Sequence, residues 1–168
     1  MEQSNDRELW AAVAAAQQEL ARCHAAFHQR ASARVEILTA ALGPGSPEVR
    51  AALDFLSVFP DDTLTLLPQL VEHALSHRWA GFAREAIGAA PYRLTHPALK
   101  EIVLPRLDSA DDDEYRRFAE LLAHVEAWDL LRQLTKRALA SDDPDLREVG
   151  DDFTEAYGPL WGASINAK

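Results

Sequence analysis

A chain of 168 residues is the size of one domain and long enough to bury a core of its own. Its 27 acids against 17 lysines and arginines leave a net charge of −10, a balance that repels phosphate backbones and argues against a nucleic-acid partner. Thirty alanines against eight valines and four isoleucines predict an all-α protein, because alanine and unbranched side chains lose least on entering a helix.

The first helix starts near Ser4 or Asn5, both good N-caps, with Asp6 and Glu8 at its positive end. Apolar positions then run Trp10, Val13, Gln17, Leu20, His24, Phe27, Ala31, Val35, Leu38, Leu42 at nearly 3-4-3-4 spacing. That is a heptad seam with polar interruptions at Gln17 and His24. An unbroken helix to Leu42 would be about 55 Å long. A break near Ser32 is expected instead, giving an N-terminal helix over about 4–31 and a second helix antiparallel to it. Because the first helix is longer than the others, part of its seam is expected to be exposed and to support a homodimer.

Gly43-Pro44-Gly45 closes this stretch, as a C-cap glycine followed by proline does. Ser46-Pro47-Glu48-Val49-Arg50 opens a helix to about Phe59, with Ser46 as N-cap and Pro47 in the first turn. Asp61 and Asp62 cap the next, to about His77, and another runs from about Trp79 to Ala90. Thr95 or His96 caps a helix from Pro97 to Leu107. Asp111–Asp113 leads one through Trp128, and Asp129 caps the next, to Ala140. Asp142-Asp143-Pro144-Asp145 starts the last, which Gly158-Pro159 ends. The tail, 158–168, is expected to be irregular from Leu160, with Trp161 docked back.

One segment recurs within these helices. Leu67–Leu70–Ala74–Leu75 reappears 32 residues later as Leu99–Ile102–Arg106–Leu107, and after another 32 as Leu131–Leu134–Ala138–Leu139. Two matches at one spacing, each on helical periodicity, predict stacked helical repeats over about 33–157 in a single domain. The turns Ser46-Pro47-Glu48-Val49-Arg50 and Asp143-Pro144-Asp145-Leu146-Arg147 look like the proline-acidic-apolar-arginine turn of the HEAT-like α-solenoid family, which the chain resembles. The resemblance implies a right-handed α–α superhelix of about four helix pairs, with the second helices lining a concave, protein-binding face. The units at Trp79-Ala80-Gly81-Phe82 and Asp113-Glu114-Tyr115-Arg116 lack the proline. A 32-residue unit also suits a tetratricopeptide-like or irregular α–α array.

Chemistry-bearing residues are sparse. Cys23 is the only cysteine, so neither an internal disulfide nor a thiolate metal cluster can form. The first residues lack a signal-peptide pattern and no apolar run approaches a membrane span, so a cytoplasmic protein is expected. His24 and His28, like His73 and His77, stand one helical turn apart and together could offer four nitrogens to zinc. His24 and His28 lie on the apolar seam, however, so no metal and no cofactor are expected. Acids gather at helix starts, where they cap N–H groups, and this favours capping over general acid–base work; no catalytic residue is assigned.

Charge is unevenly placed: residues 101–168 carry −8 against −2 for residues 1–100. In the last helix Glu148, Asp152 and Glu155 share a face with Asp151 beside it, opposite an apolar stripe of Leu146, Val149, Phe153 and Ala156. This face is the expected docking site for a basic protein partner, with Arg84, Arg116 and Arg117 as candidates on the concave side. Alternatively, the arginines pair with acids of neighbouring units. The expected function is a non-enzymatic protein-binding module, in its most concrete form an acidic inhibitor or immunity-type protein that masks a basic partner. A scaffold subunit dimerising through its N-terminal helix is the alternative. HEAT-like DNA glycosylases need a basic face that this chain lacks.

Overall fold

The computed structural model describes residues 2–161, with side chains from Asn5 onward. Nine α-helices and one 3-10 turn at Pro60–Asp62 follow one another, with no strand among the described residues, as an alanine- and leucine-rich chain requires. They are α1 (Glu2–Arg30), α2 (Arg34–Ala41), α3 (Val49–Val58), α4 (Thr63–Ala74), α5 (Ala80–Gly88), α6 (Tyr92–Arg106), α7 (Asp112–His124), α8 (Trp128–Leu139) and α9 (Pro144–Trp161). No helix among the described residues is long and apolar enough to cross a membrane.

From α2 onward the helices contact in two interleaved series. One runs α2 to α4 to α6 to α8, and the other α3 to α5 to α7 to α9. The series meet through α2–α3, α4–α5, α4–α7, α7–α8 and α8–α9. The core lies between them, and the recurring positions of α4, α6 and α8 fill it. Leu67, Leu99 and Leu131 are fully buried, as are Leu70, Leu134, Ala74 and Ala138. Ile102 is half-buried and packs against the same core. Val71, Val103 and Thr135, also 32 residues apart, form a second buried row. The end of the motif drifts: Leu107 is buried, but Leu139 is exposed and the core-aligned Arg106 instead reaches Glu72 and Glu114.

Several boundaries differ from the expected ones, each for a local reason. α7 ends at His124 and does not reach Trp128. Ala127 N–H donates to Leu122 O at 2.9 Å and Glu126 N–H to Ala123 O at 3.2 Å, while Glu126 takes φ 56°. This is a Schellman stop with the buried Leu122 and Ala127 as its apolar contact, and glutamate sits where glycine usually marks it. α6 begins at Tyr92, with Pro91 as N-cap, and Pro97 lies inside the helix. Thr95 is buried and its hydroxyl bonds Tyr92 O within the first turn. α9 continues through Pro159 to Trp161, whose ring packs against the core as expected of a docked residue. Residues 162–168 of the expected irregular tail lie outside the described residues. Ala156 is exposed; Tyr157 completes the inward stripe in its place.

The expected acidic caps divide. Asp111 Oδ1 accepts from Glu114 N–H and Asp143 Oδ1 from Asp145 N–H, both true caps. Ser46 Oγ accepts from Glu48 N–H in the turn before α3, which starts only at Val49, so the expected Ser46 cap with Pro47 in the first turn does not form. Asp61, Asp62 and Asp129 cap nothing with their side chains; they bind other helices. Asp62, at the start of α4, is gripped through both oxygens by Arg34 of α2, in a pair of which little is exposed. That hydrogen bond raises the Arg34 pKa further above its ordinary value. Asp61 meets His28 at 2.7 Å, and Asp129 meets His96 at 2.8 Å. Burial, with help from Asp129, pushes the Tyr92 phenol up to about 12.

The chain breaks after Arg30, close to the expected Ser32, but α1 makes no hairpin with α2. Only its last turns touch the body: Phe27 packs edge-on to Phe55 at 5.1 Å between centroids, and His28 stacks on Phe59 at 4.4 Å. Residues 5–23 are exposed throughout.

Candidate partner-binding surfaces

α9 buries Leu146, Val149, Gly150 and Phe153 against the body, and its opposite face carries Glu148, Asp151, Asp152 and Glu155 at i, i+3, i+4, i+7. All four are exposed. Asp152 is engaged within the chain: both terminal nitrogens of Arg116 donate to its Oδ2 at 3.0 Å. Glu148, Asp151 and Glu155 form no ion pair among the described residues, so their charge faces solvent.

The arginine candidates are taken up between helices. Arg84 of α5 pairs with Glu120 of α7, and Arg116 of α7 pairs with Asp152 of α9. Both partners shift by 32 residues from one pair to the next, so the bridge recurs with the repeat. Arg117 Nη2 lies 2.9 Å from the ring nitrogens of His77. Arg84 and Arg116 thus each pair with an acid of a neighbouring helix, whereas Arg117 meets a histidine in the turn after α4. Arg50 lies over the Phe82 ring at 3.5 Å, and Arg147 donates to Ser141 O and Asp142 O, tying the turn into α9.

The histidine pairs do not converge. His24 packs edge-on to Phe55 and His28 binds Asp61. His73 Nε2 lies 2.8 Å from Leu42 O at the end of α2. Arg137, two repeats on from His73, does the same job by donating to Leu104 O at 2.8 Å. No sequence signal short of the repeat register itself marks these inter-helix carbonyl contacts.

A second surface is apolar. On α1, Trp10 is 70% exposed, Val13 57% and Leu20 43%. Beside Leu20 a groove of about 410 Å³ runs between α1 and α3, lined by His24, Arg50, Asp54, Val58 and Phe59 among others.

No family model, curated protein or solved structure gives a significant match to this chain. The two surfaces therefore have to be interpreted from their chemistry alone.

Proposed function

We propose that the chain is a non-enzymatic, HEAT-like helical-repeat module that binds a basic protein partner on the outer face of α9 and masks it. The observation that carries this reading is the row Glu148, Asp151 and Glu155, exposed on one helix face and left unpaired by Arg116, which takes only Asp152. The alternating contacts of the two helix series, and an arginine–acid bridge that recurs with the 32-residue period, support a right-handed superhelix of four helix pairs, α2–α3 to α8–α9. α9 is the last of the described helices in such an array. Exposed like charges there act mainly by steering, so they set the association rate and its salt dependence more than the lifetime of the complex.

The test uses the full chain and the partner that co-purifies with it from its native host. Changing Glu148, Asp151 and Glu155 together to Lys, with the Asp152–Arg116 bridge kept, should slow association strongly at low salt and leave the thermal melt unchanged. Screening over about 10 Å at 0.1 M salt should shrink the difference as salt rises. Equal rates for wild type and variant across the salt series would overturn the reading.

A further inference from the structure

Among the described residues almost nothing covers the amphipathic stripe of α1. Its 29 residues span about 44 Å, and only the turns around His24–His28 rest on the body. An exposed tryptophan and two exposed aliphatic side chains in line lead into a groove of mixed polar and apolar lining. Tracks of this kind on a soluble chain mark an interaction surface.

We propose that a second copy of this chain occupies that track, the two α1 helices pairing antiparallel with each Trp10 seated in the groove of the other. The stripe is self-complementary: positions 6, 10, 13, 17, 20 and 24 read the same spacing in either direction. A two-fold axis near Ala15 sets Trp10 opposite the partner's Leu20 and Val13 opposite the partner's Gln17. This is the isologous geometry of a C2 dimer, with the same patch used on both sides. Ala14 and Ala16 flank the stripe beside the axis, and their small side chains let the two backbones approach closely.

The order of charges along α1 selects both the partner and its direction. The first turns carry Asp6 and Glu8 against Arg7, and the last carry Arg22, Arg30 and two histidines against Glu19, which pairs with Arg22. With the axis at Ala15, the net-negative turn Asp6–Glu8 lies along the partner's Arg22 and the partner's His24, and Arg30 falls outside the overlap; parallel pairing would set that turn against its own copy. The acidic start also disfavours an anionic lipid surface, which recruits helices with a basic polar face. In the groove, Val58 and Phe59 offer apolar walls for the indole, and Asp54 offers an acceptor for its N–H. A tryptophan buried in a pocket near the middle of an interface is the usual form of a binding hot spot. The inference is independent of the α9 reading, because it involves neither that helix nor a foreign partner.

Sedimentation velocity on the full chain tests it. A dimer is expected from low to high micromolar concentration, and Trp10→Ala and Leu20→Glu should each convert it to monomer with unchanged helical circular dichroism. Direction is read by disulfide formation in a Cys23→Ser background. Val13→Cys combined with Gln17→Cys, which face each other across the axis, should cross-link two chains under mild oxidation, whereas Asp6→Cys, about 27 Å from its counterpart in an antiparallel pair but beside it in a parallel one, should not. A wild-type chain that stays monomeric at high micromolar concentration overturns the proposal. So does a dimer that survives both α1 variants, or one that cross-links through Asp6→Cys or through neither site.

Discussion

α1 and the body α2–α9 carry the same kind of sequence pattern and meet opposite fates. Both show apolar residues at helical spacing with charged residues between. In the body most of those residues are covered, Leu67, Leu99 and Leu131 down to zero exposure; in α1, Trp10 and Val13 stand more than half exposed. Periodicity decides which face of a helix is apolar, but not what covers it. Cover comes from neighbours: each body helix packs within the two interleaved series, while α1 meets the body only through its last turns, against Phe55, Phe59 and Asp61.

The comparison breaks most sharply at a single residue type. Leu134→Ala removes a fully buried side chain between the two helix series and should cost about 2–5 kcal/mol by chemical denaturation. Leu20→Ala on α1, in the dilute monomer, should fall within about half a kcal/mol of wild type. Equal losses at the two sites would mean that α1 is covered in solution by the body and that the contrast is false.

Next in size is the Arg34–Asp62 pair, the firmest polar link between the body's first helices. Asp62 is buried and Arg34 nearly so, and their hydrogen bonds close α2 on the start of α4. Asp62→Ala should leave the guanidinium short of its partner and cost about 2–3 kcal/mol. By contrast Arg116→Ala, which opens an exposed bridge, should cost less than about 1 kcal/mol. A small loss at Asp62, read from urea midpoints, would place the pair in solvent.

Gly150 tests the closest approach in the body. A Cβ there would come within 2.8 Å of Leu139 Cγ and 3.1 Å of the Leu139 backbone nitrogen, so α9 can lie where it does on α8 only without one. Gly150→Ala should cost about 1–3 kcal/mol through overpacking, against the usual gain from replacing a helical glycine. A stabilised variant would mean that the two helices sit further apart.

The sequence made these regions legible to different degrees. The all-α class, the 32-residue spacing of the sequence and the buried leucine rows could be read directly, because helix propensity and apolar spacing are local properties. The acidic face of α9 was legible for the same reason. The loss of Asp152 to Arg116 was not, yet the signal existed: Arg84 with Glu120 and Arg116 with Asp152 are one pair shifted by one repeat. Acids at helix starts were misleading, since Asp61, Asp62 and Asp129 bind across helices where a cap would have sufficed. The α6 start was hidden by Pro97, which the helix accommodates in its second turn, and α9 likewise runs past Pro159.

The α7–α8 stop gives the smallest expected effect and the clearest cause. Helix ends are usually announced by glycine, because the residue after the C-cap takes a left-handed conformation that a Cβ resists. Here Glu126 holds φ 56° and the two Schellman hydrogen bonds form regardless, with Leu122 and Ala127 buried beneath them. The turn is thus imposed by the packing of α8 rather than by its own sequence, and the glutamate bears a strain of about 1 kcal/mol. Glu126→Gly removes that strain but loosens the unfolded chain, which takes back part of the gain. The net outcome should be a stabilisation of up to about 1 kcal/mol, whereas Gly45→Ala, at the other left-handed position, should lose stability for the converse reason. If thermal melts show Glu126→Gly less stable than wild type by more than half a kcal/mol, the side chain itself holds the turn, and the stop is local in origin after all.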